Sequence, residues 1–171
     1  EIATLDEDVL GQPAKATDAH RRVLELDPSY MASYSALDRL YTNAEQWKEL
    51  EELLARQADY IATGPAARGV VAISPTGGVV TSGDTVEMMY RRAELFAHKL
   101  GDPNRAVDLL EDVVSRRRGH ADARELLEEL LASKETAQRV ARILEPLYEQ
   151  EKLWKDLVGV LRVQYEKASG T

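Results

Sequence analysis

The sequence predicts an all-α protein built from repeated pairs of short helices, and three observations support this prediction. The stretch from Leu10 to Leu40 reappears without a gap 90 residues later, from Leu100 to Leu130. The segment Trp47-Lys48-Glu49-Leu50 returns 107 residues later as Trp154-Lys155-Asp156-Leu157. Apolar residues recur along most of the chain at helical spacing. Short helices of this kind are unstable alone in water, so we expect them to stack and bury their apolar stripes in one core.

Each predicted helix has its own start and stop signals. The first begins at Pro13, because the first amides of a helix lack partners and tolerate proline, and Asp27-Pro28 ends it. Gly101 is predicted to end the fourth helix as a left-handed cap. Pro146 lies inside the seventh and is predicted to kink or break it. The fifth helix is predicted to begin at Pro103 and to end within Arg116-Arg117-Arg118-Gly119. The other helices are predicted over Tyr30 to about Ala44, Trp47 to about Ile61, Val86 to Leu100, Ala121 to Ala132, Thr136 to Gln150 and Leu153 to Ala168.

The composition excludes several classes of function. Among 171 residues the net charge is −8, and an acidic chain repels phosphate, so we expect no nucleic-acid partner. Without cysteine there are no disulfides and no thiolate metal sites. No apolar run approaches membrane-spanning length and no signal peptide is visible, so we expect no membrane partner and, by default, a cytoplasmic location.

The ends of the sequence suggest a piece of a longer array. The chain opens without Met and closes on Ser169-Gly170-Thr171 directly after a helical pattern. We therefore expect residues 1–171 to be a single helical-repeat segment of a longer array, from which a leader could be missing.

A segment near the middle, at about 66–85, departs from the helical pattern. Residues 61–85 hold five of the ten glycines, and the turn signal Pro75-Thr76-Gly77-Gly78 separates two runs of β-forming residues. Removing Gly69 to Thr85 restores an ordinary connection between two helices, so we predict an inserted β-hairpin or loop. Its apolar strands would have open edges, which makes it a candidate for self-association or for packing against the helices. A tolerated surface loop and an engineered segment are the alternatives. The candidate residues are Val70, Val71, Ile73, Val79 and Val80.

The residues also resemble a known family, the tetratricopeptide repeat (TPR), in a degenerate form. The segment Leu26-Asp27-Pro28 is similar to the end of a TPR motif. Small and bulky positions of the motif are matched by Ala16, His20, Val23, Leu37 and Tyr41. The resemblance covers about Gly11 to Gln57 and Met88 to Ala168. It implies a right-handed superhelix of antiparallel helix pairs whose concave face binds a peptide or protein, with no catalysis and no cofactor.

The resemblance also implies where a partner would bind. In TPR arrays the first helix of each pair, which we term a first-type helix, lines the concave face, and the second-type helix lies behind it. Here the second and fourth predicted helices are first-type. Their residues away from the apolar stripe are Ser35, Arg39, Asn43, Arg91, Leu95, His98 and Lys99. The next first-type helix offers Asp122, Glu125 and Glu129, so one end of the face is basic and the other acidic.

Other chemically notable residues favour structural roles. His20, His98 and His120 form no metal-binding pattern, and Gly77-Gly78 lacks the residues of a phosphate loop, so we expect no metal site, cofactor or catalytic residue. The basic cluster Arg116-Arg117-Arg118 complements the dipole at a helix end, and the alternative interpretation is an anchor for an acidic partner. The recurrence of Trp47 as Trp154 favours packing between helices over partner binding.

Three hypotheses for function follow from these residues. The first is a non-catalytic scaffold that docks a peptide or protein on its concave face. The alternative is a structural assembly element that forms a homo-oligomer through the inserted hairpin. The third is a helical domain of an enzyme whose active residues lie elsewhere.

Overall fold

The computed structural model describes residues 13–63 and 82–169, and these residues are helical apart from short turns. No strand occurs in either range, so the prediction of an all-α chain is confirmed for this part of the sequence. We number the helices α1 Pro13–Leu26, α2 Met31–Asn43, α3 Trp47–Thr63, α4 Ser82–Leu95, α5 Pro103–Arg116, α6 Ala121–Leu130, α7 Ala137–Glu151 and α8 Trp154–Ser169. A π-helical turn, Phe96–Leu100, extends α4.

The chain divides into two compact units, Glu1–Met88 and Met89–Thr171. In the first unit α2 packs against both α1 and α3. In the second, α6 packs against α5 and α7, and α7 packs against α8. The π-helical turn contacts α5. Since successive helices are joined by turns of a few residues, each packed pair runs antiparallel.

The repeat seen in the sequence governs the structure of both units. Helices α5, α6 and α7 begin 90 residues after α1, α2 and α3, so the repeat extends beyond Leu40 into a third helix. Equivalent positions are buried in both units, as Ala16 and Ala106 or Leu37 and Leu127 show. The same three-helix arrangement is therefore built twice.

The second echo, at 107 residues, reproduces a turn. Glu45 and Lys152 are both left-handed, with φ of 54° and 60°. The amides that follow them, at Gln46 and Leu153, each donate to the carbonyl of a tyrosine five residues earlier at 2.9 Å. This is the six-to-one bond of a Schellman cap, which satisfies a carbonyl that the helix end leaves unpaired. Leu40-Tyr41 returns at the same offset as Leu147-Tyr148, so each turn lies between a repeated Leu-Tyr pair and a repeated tryptophan, although the turn residues themselves differ.

The end of α4 differs from a regular helix. The amide of Asp102 donates to the carbonyl of Phe96 at 2.9 Å, and Gly101 adopts the left-handed conformation with φ 68°. The predicted left-handed cap at Gly101 is therefore confirmed. The π-helical turn before it has no separate signal in the sequence.

The structure corrects the predicted end of the insertion at 66–85. Residues Ser82 to Thr85 form the first turn of α4, so that part of the prediction is wrong. Ser, Asp and Thr are typical of loops, but the same residues also favour helix beginnings. Residues 64–81 lie outside the described part of the chain, and with them Val70, Val71, Ile73, Val79 and Val80.

Two further predictions about individual residues need correction. Helix α7 runs through Pro146 to Glu151, so a break at this proline is wrong. Trp154 is 60% exposed, so the expectation that it packs between helices is wrong too, whereas Trp47 is half-buried. In α8 the buried stripe is formed by Leu157 and Val160 instead.

Candidate functional site

In the first unit, the three predicted binding residues share one face of α2. Ser35, Arg39 and Asn43 are spaced four residues apart and all are exposed. The opposite side of α2 is buried, with Tyr34 and Leu37 in the core. The helical period therefore separates a polar stripe from a core stripe, as the sequence predicts.

In the second unit, the predicted residues of α4 and its π-helical turn divide into two groups. Arg91 is half-buried, and His98 and Lys99 are exposed. Leu95 is only 9% exposed and belongs to the core, so its side chain is not available to a partner. Its place in the sequence outside the regular apolar stripe had suggested exposure.

The acidic residues of α6 also form one exposed face. Asp122, Glu125 and Glu129 lie on it, while Leu126 and Leu127 on the other side are buried. The imidazole Nδ1 of His98 lies 3.7 Å from a carboxylate oxygen of Glu129. The second unit thus brings the basic end of α4 and the acidic face of α6 together.

The other two histidines are buried in the helical packing. His20 Nδ1 lies 3.0 Å from the hydroxyl of Ser33, which links α1 to α2. His120 Nδ1 accepts from the amide of Ala123 at 3.2 Å and so caps the beginning of α6. Within residues 13–63 and 82–169 there is no group of three potential metal ligands.

A groove between the second-type helices α5 and α7 was not predicted from the sequence. It has a volume of about 520 Å³, within the range typical of small-ligand sites. Its floor is apolar, with Val114, Ile143 and Leu147. The polar and remaining residues around it are Glu111, Ser115, Arg118, Arg139, Arg142, Pro146 and Gln150.

The groove has a basic character that contrasts with the chain as a whole. Three arginines line it, against the single carboxylate of Glu111. Arg139 pairs with Asp108 and donates to Glu111 at 2.9 Å, and the bond to Glu111 is the main cause that raises the pKa of its guanidinium. Arg118 donates to the side-chain oxygen of Gln150 at 2.9 Å.

The first unit has the equivalent groove, but it is smaller and has different charges. It measures about 150 Å³ and is lined by α1, α2 and α3. At the register of Arg139 and Arg142, 90 residues earlier, stand Glu49 and Glu52. The position of Pro146 is held by Arg56.

Arg56 closes the groove of the first unit. Its Nη2 donates to the carbonyl of Leu24 at 2.6 Å. That carbonyl has no helical donor four residues on, because Pro28 lacks an N–H. Pro146 has no side chain long enough to make such a bridge, so the groove of the second unit stays open. Alignment of Arg56 with Pro146 at the 90-residue offset is the sequence signal that could have revealed this groove.

Comparison with known proteins adds little to this picture. No family model and no curated protein sequence matches the chain. Among solved structures, the chain is similar to one described as the crystal structure of MamA, at 16% sequence identity and a TM-score of 0.41. That match covers 99% of this chain and 96% of the other. Such a score decides neither fold family nor function. Among the described helices, none has the length and apolar character needed to cross a bilayer.

Proposed function

We propose that this protein is a non-catalytic scaffold for protein–protein interaction, which docks a peptide or folded protein on the first-type helices of a TPR-like array. The observation that carries this proposal is the sorting of side chains on those helices. Core residues occupy one side of α2 and α6, and polar residues occupy the other as continuous exposed stripes. A surface with both signs of charge suits a partner that also carries both.

The binding face in this proposal consists of the polar residues already described, all of them exposed except the half-buried Arg91. They are Ser35, Arg39 and Asn43 in the first unit, and Arg91, His98, Lys99, Asp122, Glu125 and Glu129 in the second. Arginine is well suited to this role because its planar guanidinium binds carboxylates with two parallel hydrogen bonds.

Charge reversal on this face should weaken partner capture. In the double variant Arg39→Glu with Arg91→Glu, we expect proteins captured from native lysate to fall at least about tenfold, which corresponds to roughly 1.4 kcal/mol. The free energy of unfolding should fall by no more than about 1–2 kcal/mol, because Arg39 is exposed and the half-buried Arg91 lies outside the core. Quantitative mass spectrometry of the captured proteins and thermal denaturation measure the two effects.

The matched control reverses the charge of two arginines on second-type helices. Arg22→Glu with Arg116→Glu makes the same change in net charge at exposed positions of α1 and α5. Capture by this control should equal that of the unaltered protein. Equal capture by all three proteins would remove the first-type helices as the binding face.

Self-association is a second candidate function, favoured by the surface of α8. Four large apolar side chains are exposed there at helical spacing, namely Trp154, Val158, Leu161 and Tyr165. Exposed apolar stripes of this kind commonly mark contact surfaces. The inserted segment around 66–81 stays a candidate for the same role.

Two variants test self-association by light scattering. We expect Trp154→Ser with Tyr165→Ser to convert a dimer to a monomer if α8 forms the contact. If the insertion forms the contact instead, we expect deletion of Gly69 to Thr81 to convert the dimer to a monomer. The deletion stops at Thr81 because α4 begins at Ser82. A protein that is monomeric at high concentration before either change would eliminate this candidate.

A further inference from the structure

We infer that the groove between α5 and α7 is a second binding site, which takes an acidic peptide segment carrying an apolar side chain. This site lies on second-type helices and is independent of the face proposed above. Its lining combines an apolar floor with guanidinium groups at the edges, and each part selects a different feature of the peptide.

The guanidinium groups supply the attraction for carboxylates. Arg142 is exposed and has no hydrogen-bond or ion-pair partner among residues 13–63 and 82–169. Arg118 uses one nitrogen on Gln150 and keeps further donors, since a guanidinium has five. Arg139 is already paired with the carboxylates of Asp108 and Glu111, so its charge is less available to a bound peptide. The two available arginines therefore define where carboxylates would bind.

The floor supplies a place for an apolar side chain. Val114, Ile143 and Leu147 line the groove between the two helices, and of these Ile143 is the most accessible because it is half-buried whereas the other two are buried. Pro146 stands at the exposed edge of the groove and has no side chain long enough to cover this surface.

Charge and shape together favour a peptide over a nucleic acid. The chain carries a net charge of −8, which repels a long phosphate backbone, whereas a short acidic segment meets only the local basic groove. An apolar floor also matches an aliphatic or aromatic side chain better than a sugar-phosphate chain.

The first unit provides an internal comparison for this assignment. The same three-helix arrangement there carries Glu49 and Glu52 in place of Arg139 and Arg142, and Pro28 in place of Arg118. Arg56 spans the groove to the carbonyl of Leu24. The volume falls from about 520 Å³ to about 150 Å³. The open, basic groove is therefore a property of the second copy rather than a necessary consequence of how these helices pack.

Fluorescence anisotropy with a labelled peptide of sequence Glu-Asp-Leu-Leu-Glu-Asp-Phe-Glu tests the inference on the full chain. We expect saturable binding, and no binding of a peptide in which lysine replaces each acidic residue. Arg142→Glu should weaken binding roughly tenfold, through loss of one charge pair and gain of a repulsion.

A second variant separates groove shape from charge. Pro146→Arg places in α7 the side chain that closes the groove in the first unit, and we expect it to weaken binding roughly tenfold although it adds positive charge. Pro146→Ala, which leaves the groove open, should bind as the unaltered protein does. Arg22→Glu on α1 is the control for net charge.

Several outcomes would overturn the assignment. One is full binding by either Arg142→Glu or Pro146→Arg, with circular dichroism showing that the variant is folded. Equal affinity for the lysine peptide, or for single-stranded oligothymidine, would also overturn it. Since none of these variants alters Arg39 or Arg91, failure here leaves the proposed scaffold function standing.

Discussion

Leu127→Ala is expected to destabilise the protein by about 2–5 kcal/mol, the range for leucine truncation in a packed core. The side chain of Leu127 on α6 is fully buried, so its removal leaves a cavity as well as losing apolar contact. Leu37→Ala, its equivalent on α2, should cost a similar amount because that position is 1% exposed. Denaturant unfolding followed by circular dichroism measures both.

The control for these truncations is Leu26→Ala at the end of α1. Leu26 is 88% exposed, so we expect its truncation to change the free energy of unfolding by less than about 0.5 kcal/mol. If Leu127→Ala lowered the free energy of unfolding no more than Leu26→Ala does, the packing of α6 described above would be contradicted.

Pro146→Ala is expected to stabilise the protein by roughly 1–3 kcal/mol. Proline inside a helix costs about 3 kcal/mol relative to alanine, because it removes a hydrogen bond and crowds the preceding turn. Part of the gain is lost, since proline also restricts the unfolded chain by about 0.4–1 kcal/mol. Thermal denaturation of the two proteins measures the difference.

Pro103→Ala provides the matched control for this prediction. Pro103 is the first residue of α5, where its missing N–H would have had no helical partner. We expect this variant to be no more stable than the unaltered protein. An equal gain in stability from both substitutions would contradict the prediction, because it would show that proline destabilises the interior of α7 no more than the first position of α5.

Much of the fold could be predicted because its signals are local. Pro13 and Pro103 mark helix starts and Gly101 marks a helix end, and all three signals lie at the helix ends that the structure shows. The errors arise where one residue type serves two structures. Ser82 to Thr85 resemble a loop but begin a helix. Pro146 is tolerated inside α7 because burial of Leu144 and Leu147 on either side of it stabilises the helix.

The candidate sites were less accessible to sequence reasoning. The face on α2 follows from helical period alone, so Ser35, Arg39 and Asn43 could be placed correctly on an exposed surface. The groove between α5 and α7 depends on side chains from two helices about 30 residues apart in sequence. From the sequence of α7 alone, Arg139 and Arg142 would be interpreted only as exposed charged residues. Their common groove emerges when the two copies are compared position by position.

The two tryptophans have a practical consequence for experiments on this protein. Trp47 lies in the first unit and is half-buried, whereas Trp154 lies in the second and is largely open to water. Indole emission shifts with solvent contact, and a dissolved quencher reaches an open ring more readily than a covered one. The chain therefore contains one intrinsic optical reporter per unit, and single replacements of either ring allow each unit to be followed separately during melting or titration.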